Sequence, residues 1–228
     1  MPTLLFEPKD KFPPVSEADT DGLLAFGGSL SQKRLLKAYR SGIFPWPVED
    51  FPMLWFAPNP RFVLFPEKFK TSKSFRQFLR KTNFKVKFDT CFAKVITNCS
   101  LVDRGDDLGT WINSKMIQAY IKLHMAGYAH SVEVFDENEL VGGLYGVSVG
   151  GVFCGESMFF TKSNASKFAL YHLVEKAKKF KFHFIDAQVE TEHLLKQGAE
   201  NIPREEFMHL LEKALKNKTK KGKWTFKD

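Results

Sequence analysis

The chain has 228 residues, of which 43% are apolar and 14% aromatic, so it can bury the core of one large or two small globular domains. Its net charge of +8 makes a polyanionic partner, nucleic acid above all, the first class of ligand to consider. The three cysteines form no CxxC pair, which argues against a disulfide framework or a zinc site. No stretch reaches the length of about eighteen apolar residues that a membrane span needs, so we expect a soluble, cytoplasmic protein.

The N-terminal part predicts one helix followed by an irregular segment. Ser31 is a typical N-cap residue for a helix over 32–41. Five prolines between residues 43 and 60 exclude a regular helix there, so we expect an extended, rigid segment that displays Trp46 and Trp55. Such tryptophans either stack on nucleic-acid bases or pack in the interface between two domains, and residue type favours neither alternative.

The next helix predicts a basic face. Ser72 is its expected N-cap, and Phe75, Phe78 and Leu79 recur at the spacing of one buried stripe. The residues expected on its outward face are Lys73, Arg76 and Arg80. Such a run of one sign is either a solvated surface or a phosphate-binding surface, and both interpretations stay open.

The remaining pattern predicts helices packed on one sheet, which is an α+β layout. Further helices are expected over 89–100, from Asn113 to Gly127, over 165–180 with a cap at Ser163 or Asn164, and from Pro203 onward. Strands are expected over 129–135, 140–147, 152–158 and 182–189. Gly150-Gly151 is the expected turn of a hairpin between the second and third of these strands. The six lysines from Lys216 onward predict a frayed basic tail.

Glu156 is the candidate functional residue of this hairpin. It lies between Phe153, Cys154, Met158 and Phe159, where a bare carboxylate would be costly to bury. It is therefore either desolvated and functional or paired with a cation in a structural salt bridge.

A series of short segments, met in order between about residues 22 and 204, resembles one known family, the leucyl/phenylalanyl-tRNA–protein transferases of bacteria. The segments are GLLAFGG, GIFPW, GTWI, AHSVEV, VGGLYGV, FCGESMF, NASK, IDAQ and GAENIPR. The middle of the chain also resembles the GNAT acyltransferase superfamily. The resemblance implies a small N-terminal domain over 1–62 and a GNAT-like catalytic domain, with a mixed sheet and packed helices, over 63–228, including the basic tail.

The same resemblance implies an activity and its partners. Leu or Phe, with Met as a third candidate, would pass from aminoacyl-tRNA to the N-terminal Arg or Lys of an acceptor protein, which forms a peptide bond and creates a degradation signal. The amine would attack the ester directly, with no acyl-enzyme, cofactor or metal, in a protein that acts as a monomer. Partners would be Leu-tRNA, Phe-tRNA and the acceptor proteins, with no membrane involved.

The family pattern also assigns roles to residues of this chain. Asp186 and Gln188 would be catalytic, on the same face of a strand by its period of two, and Glu156 would attract the cationic acceptor or hold the aminoacyl amine. Trp46 would stack on the terminal adenine and Trp111 would line the ribose and ester region. The pocket for the Leu or Phe side chain would be formed by Leu144, Phe153, Met158 and Ile185, and the basic helix would bind tRNA.

Two rival functions remain to be tested. A CoA-dependent N-acyltransferase would need a glycine-rich loop for the pyrophosphate, and the segment TKSNASK lacks both glycines and the leading Arg. A non-catalytic tRNA-binding protein would use the basic face and the tryptophans but not Asp186. The sequence also carries Leu144 where family members tend to have Met, and Leu173 and Ala177 where they tend to have Phe, so the depth of the pocket stays open.

Overall fold

The computed structural model describes residues 2–5, 11–48, 51–102 and 112–227. The strands are β1 (Thr3–Leu5), β2 (Leu23–Gly27), β3 (Phe44–Pro45), β4 (Leu54–Phe56), β5 (Arg61–Leu64), β6 (Lys85–Phe88), β7 (Ala129–Asp136), β8 (Glu139–Val149), β9 (Val152–Phe160), β10 (Phe184–Gln188) and β11 (Glu200–Ile202). The helices are α1 (Gln32–Arg40), α2 (Lys73–Lys81), α3 (Phe92–Ser100), α4 (Ser114–Met125), α5 (Ala165–Phe180), α6 (Glu192–Leu195) and α7 (Arg204–Leu215). None of these described helices is long and apolar enough to cross a bilayer.

Two sheets organise these elements. The smaller has four strands in the order β1-β2-β4-β3, and the larger has seven in the order β11-β5-β10-β9-β8-β7-β6. Within the larger sheet β9 and β10 run parallel, while the other neighbours are antiparallel. The α+β prediction with a mixed sheet is therefore confirmed.

Helices cover both faces of the seven-stranded sheet. One face packs against α1, α3, α4 and α7, and the same apolar cluster continues into the smaller sheet through Leu24 and Trp55. The other face packs against α2 and α5 through Phe75 and Phe168. The functional side chains described below divide between these two faces. The division into 1–62 and 63–228 stays a prediction.

Several local predictions from the sequence are confirmed. The side chains of Ser31, Ser72 and Asn113 each accept a hydrogen bond from a backbone N–H in the first turn of their helix. Gly127 ends α4 with a φ of +79°, and Gly150 turns the β8–β9 hairpin with a φ of +55°.

Other local predictions are wrong. Asp89 does not begin a helix: it is buried with a φ of +54°, and α3 starts only at Phe92. Asn164 stands at the N-cap of α5 but its side chain caps nothing. Trp55 is not displayed, because it is fully buried and its Nε1 donates to the carbonyl of Gly27 at 2.8 Å.

The basic tail is not frayed, because one aromatic residue anchors it. Trp224 is 3% exposed and stacks on His130 with ring centroids 3.8 Å apart. Its backbone N–H donates to the Asp89 carboxylate at 2.7 Å, and the Lys176 amine donates to the carbonyl of Thr225 at 2.6 Å. The lysines along the tail remain at the surface while the chain between them is held against the larger sheet.

Candidate active site

Two bulges in adjacent strands aim the central polar side chains. In the β8–β9 ladder Tyr145 pairs with Ser157 and the next residue, Gly146, pairs with Gly155, so Glu156 is the extra, unpaired residue. A bulge of this kind redirects a side chain without breaking the sheet. Glu156 thereby points to the face that packs against α1 and α4.

A second bulge shapes the end of β10. Asp186 pairs with Val63 and Gln188 pairs with Phe62, which leaves Ala187 as the extra residue. Gln188 has a φ of +67°, in the left-handed region, and its backbone N–H donates to Asp186 Oδ1 at 3.1 Å. The carboxylate of Asp186 therefore helps to hold the backbone conformation that orients Gln188.

The Asp186 carboxylate is otherwise occupied by Arg61 of β5. Arg61 Nε and Nη2 donate to its two oxygens at 2.8 and 2.7 Å, with both side chains almost fully buried. Arg61 Nη1 donates to the carbonyl of Gly42 at 3.1 Å, and its guanidinium lies 4.7 and 4.6 Å from the ring centroids of Phe44 and Phe207. This pair ties β5, β10 and the end of α1 together.

The described residues that hold Glu156 are all neutral. The hydroxyls of Tyr39 and Tyr120 donate to its two carboxylate oxygens at 2.8 Å each, and Gln188 Nε2 donates to Oε1 at 3.0 Å. No cation within the described ranges lies at salt-bridge distance from it. The structural salt bridge considered for Glu156 is therefore absent from the part of the chain that the structure describes.

Burial controls the ionisation of this cluster. Desolvation raises the pKa of Glu156 from 4.5 to about 7, although the hydrogen bonds from Tyr120, Tyr39 and Gln188 each lower it; the charge of Asp186 raises it further. Desolvation and the nearby Glu156 also raise the pKa of both tyrosines well above 10. The tyrosines are therefore neutral donors at neutral pH, while Glu156 can change its protonation state there.

A large apolar cleft lies beside Glu156. Its volume is about 1100 Å³, and Leu144, Phe153, Met158 and Ile185 all line it, together with Glu156. These four residues form two cross-strand pairs, Leu144 opposite Met158 and Phe153 opposite Ile185. The structure thus brings the predicted pocket residues to one cavity, and Leu173 of α5 supplies part of the opposite wall. Ala177 is buried but does not line the cleft.

Trp46 and the predicted tRNA-binding residues of α2 do not line this cleft. Trp46 is partly buried beside Phe44, at 6.2 Å between ring centroids, and is not among the residues lining the cleft. Lys73, Arg76 and Arg80 are exposed on α2, which packs against α5 through Phe75 and Phe78. Trp111 lies outside the described residues.

Sequence reasoning missed three residues of the cluster. Tyr39 and Tyr120 lie in predicted helices, but no motif in the sequence marks them as site residues, and none marks Arg61. The available signal for Arg61 was its position at the start of the apolar strand RFVL, where a cation needs a buried partner. No group of three or more His, Cys, Asp or Glu side chains suited to a metal occurs in the part of the chain that the structure describes.

The sequence matches the family described as leucyl/phenylalanyl-tRNA protein transferase over residues 63–212, and the N-terminal domain of the same family over 28–59. It is 50% identical to a leucyl/phenylalanyl-tRNA–protein transferase of Myxococcus xanthus over 96% of this chain and 94% of that protein. It is 54% identical to the protein of the same name from Syntrophus aciditrophicus, over 94% and 90% of the two chains. The protein of that name from Syntrophobacter fumaroxidans is 56% identical over 88% and 86%.

Solved structures match far more weakly. A functionally unknown conserved protein from Staphylococcus epidermidis aligns with 79% of this chain and 68% of its own at 8% identity, with a TM-score of 0.44. A match at that level carries no argument about fold or function.

Proposed function

The chain belongs to the leucyl/phenylalanyl-tRNA–protein transferase family and is thus an aminoacyltransferase, and from this premise we propose which reaction its site performs. Leu or Phe is moved from its aminoacyl-tRNA to the N-terminal amine of a protein that begins with Arg or Lys, and the product carries a degradation signal. The observation that carries the proposal is the apolar cleft of about 1100 Å³ that borders the titratable carboxylate of Glu156.

The cleft is suited to an unbranched apolar side chain. Leu144, Phe153 and Ile185 are buried and belong to one apolar cluster, and Met158 packs against it. A hydrophobic pocket distinguishes substrates that differ by one methylene by only about 1–3 kcal/mol, so lost contact alone cannot exclude Val or Ile strongly. We infer that these side chains form a narrow neck where the Cβ of the substrate would lie, so that a β-branched residue clashes there.

The reaction needs positioning and one proton transfer. The acceptor nitrogen attacks the ester carbonyl carbon, the bond from that carbon to the ribose oxygen breaks, and a proton passes from nitrogen to that oxygen. Gln188 presents its amide nitrogen to Glu156, and no described residue donates to its carbonyl oxygen, so that oxygen can accept a hydrogen from the attacking amine. Asp186, bound to Arg61 and to the backbone of Gln188, acts as a positioning residue.

Glu156 serves the same reaction by holding an amine. Its carboxylate takes its hydrogen bonds from neutral groups, so in its ionised form it can bind the cationic acceptor or the aminoacyl amine without first breaking an ion pair. The two bulges place it beside Gln188, which lets both groups contact one substrate nitrogen.

The overall architecture supports a GNAT-like catalytic unit in which tRNA lies along α2 and α5. The parallel pair β9–β10 carries the bulged Glu156 at the edge of the cleft, and α5 forms one wall of it. The exposed cations of α2 lie one helix layer away and would bind the phosphates of the acceptor arm. Trp46 would stack on the terminal adenine.

Transfer of radiolabelled Phe from Phe-tRNA tests the proposal. A peptide that begins with Arg should become labelled, and the same peptide beginning with Ala should not. If Phe-tRNA binds but neither peptide is labelled, the protein is a non-catalytic tRNA-binding protein. Stabilisation against heat by acetyl-CoA, together with labelling of peptide by acetyl-CoA, would instead indicate the CoA-dependent acyltransferase.

A further inference from the structure

The hydroxyls of Tyr39 and Tyr120 and the carboxyl group of Glu156 form a closed triangle of contacts. Tyr39 bonds to Glu156 Oε1 and Tyr120 bonds to Glu156 Oε2, and the two hydroxyls also bond to each other. The three side chains come from α1, α4 and the bulge of β9, and both tyrosines are almost completely buried. Water therefore cannot replace a missing partner at the tyrosine oxygens.

The three contacts of this triangle require three protons. Each tyrosine hydroxyl has one proton to donate, and an ionised carboxylate has none. With an ionised Glu156 there are two protons for three contacts. If both tyrosines donate to the carboxylate, the hydroxyl oxygens of Tyr39 and Tyr120 face each other with no proton between them. Burial makes such an unfilled contact costly.

We propose that Tyr39 and Tyr120 are positioning residues that hold Glu156 in its protonated form, as one member of a closed ring of three hydrogen bonds. Glu156 Oε1 already accepts from Gln188, so the carboxyl proton lies on Oε2 and is donated to Tyr120. Tyr120 in turn donates to Tyr39, and Tyr39 donates to Glu156 Oε1. Every contact in the triangle then has its own proton.

The surroundings of the ring favour the neutral acid. The titratable or charged groups that face it are Tyr145 of β8, Cys154 of β9, Asp186 of β10 and Arg61 of β5. Arg61 is committed to Asp186 by two hydrogen bonds, and the remaining charge of Asp186 disfavours a second carboxylate nearby. Burial also keeps Cys154 as a thiol, since it raises the pKa of that group.

Binding of a cationic substrate would change the protonation state of the ring. An arriving ammonium group binds an ionised Glu156 and must displace the proton, which opens the contact between Tyr39 and Tyr120. The ring therefore couples binding of the cationic acceptor to release of one proton. This role in transfer rests on the function proposed above, whereas the proton count does not.

The test is a pH titration of protein labelled with ¹³C at the glutamate carboxyl carbons, recorded without tRNA or peptide. Glu156→Gln identifies the signal of interest by its disappearance. Tyr39→Phe and Tyr120→Phe each leave one hydroxyl and one contact, which an ionised carboxylate fills, so the ring predicts that both lower the titration midpoint of Glu156 by about one pH unit. Tyr171→Phe, on α5 against Phe69 and Phe75, is the matched control and should leave the midpoint unchanged.

The opposite result would overturn the proposal. If the tyrosines act only as donors to a carboxylate, removing either one raises the midpoint, and an unchanged midpoint would also exclude the ring. The titration needs no substrate, so its failure is distinct from a failure of aminoacyl transfer.

Stability provides a second readout if a phenylalanine variant does not fold. Because the folded pKa of about 7 lies above the ordinary 4.5, the proton stabilises the native state fully below about pH 4.5, and this contribution is lost as the pH rises to about 7. Glu156→Gln keeps a donor and an acceptor in the ring at every pH. Its unfolding temperature should therefore match that of the wild type at low pH and exceed it increasingly up to neutral pH. A constant difference over that range would contradict a protonated Glu156.

Discussion

Replacing Asp186 by Ala should destabilise the protein before it reveals anything about chemistry. The substitution removes both oxygens that bind the guanidinium of Arg61, which is 2% exposed and enclosed by Phe44 and Phe207. Leaving one partner of a buried ion pair typically costs about 3–5 kcal/mol. For a chain of this length about 2–4 °C is lost per kcal/mol, so we expect the unfolding temperature to fall by about 6–20 °C.

Matched variants distinguish the loss of stability that follows from breaking the ion pair from a loss of transfer activity. Glu200→Ala removes the carboxylate from an exposed pair with Lys68 and should cost no more than about 1 kcal/mol. The double variant Arg61→Met with Asp186→Leu removes both buried charges and should recover part of the loss. It cannot recover all of it, because the carbonyl of Gly42 loses a donor and the N–H of Gln188 loses an acceptor.

Thermal and urea unfolding measure these effects, and transfer of Phe is then assayed below the unfolding temperature of each variant. If the double variant is folded and binds Phe-tRNA but transfers poorly, the loss of transfer is due to the removal of these side chains from the site and not to unfolding. An Asp186→Ala protein whose unfolding free energy lies within about 1 kcal/mol of the wild type would refute the reasoning, and its loss of transfer would then point to direct participation of Asp186.

Four further outcomes follow from the surface, the cleft and the tail. Replacing Lys73, Arg76 and Arg80 by Ala should weaken binding of every aminoacyl-tRNA alike and reduce the salt slope by up to about 3, whereas an unchanged slope would exclude that face. Trp46→Ala should bind an aminoacyl-adenosine analogue about 1–3 kcal/mol more weakly, and equal affinity would assign it to packing. Leu144→Ala should raise transfer of Ile relative to Leu, whereas an equal fall for both would show that Leu144 only supports the fold. Trp224→Ala should cost about 3–5 kcal/mol of unfolding free energy, and a negligible loss in urea unfolding would contradict the docked tail.

The elements that sequence could predict are those fixed by neighbouring residues. A serine before a helix accepts from an N–H three residues on, as Ser72 does from Phe75, and glycines at Gly150-Gly151 turn a hairpin. The pocket residues were implied by the family resemblance rather than by strand periodicity, and their role stays a prediction, although the structure pairs Leu144 with Met158 across β8 and β9.

The features that sequence could not predict depend on distant partners. Arg61 and Asp186 are separated by 125 positions, and neither flank of Arg61 indicates which carboxylate it meets. The docking of the tail likewise depends on two contacts between residues far apart in sequence: Trp224 stacks on His130, and its backbone N–H donates to the Asp89 carboxylate. The bulges at Glu156 and Ala187 arise from the register of two neighbouring strands, which period-two reasoning treats as regular.

The two carboxylates of the site differ in the groups that they contact, and residue type alone does not predict this difference. Asp186 binds the guanidinium of Arg61 through both carboxylate oxygens, and it thereby fixes Arg61 and the backbone of Gln188. Glu156, which lies on the same face of the sheet, meets only hydroxyl and amide groups among the described residues, and burial raises its pKa to about 7. A fixed cation beside Glu156 would stabilise its ionised form and lower its pKa. The carboxylate whose pKa burial raises to about 7 is therefore the one that has no ion pair within the described residues.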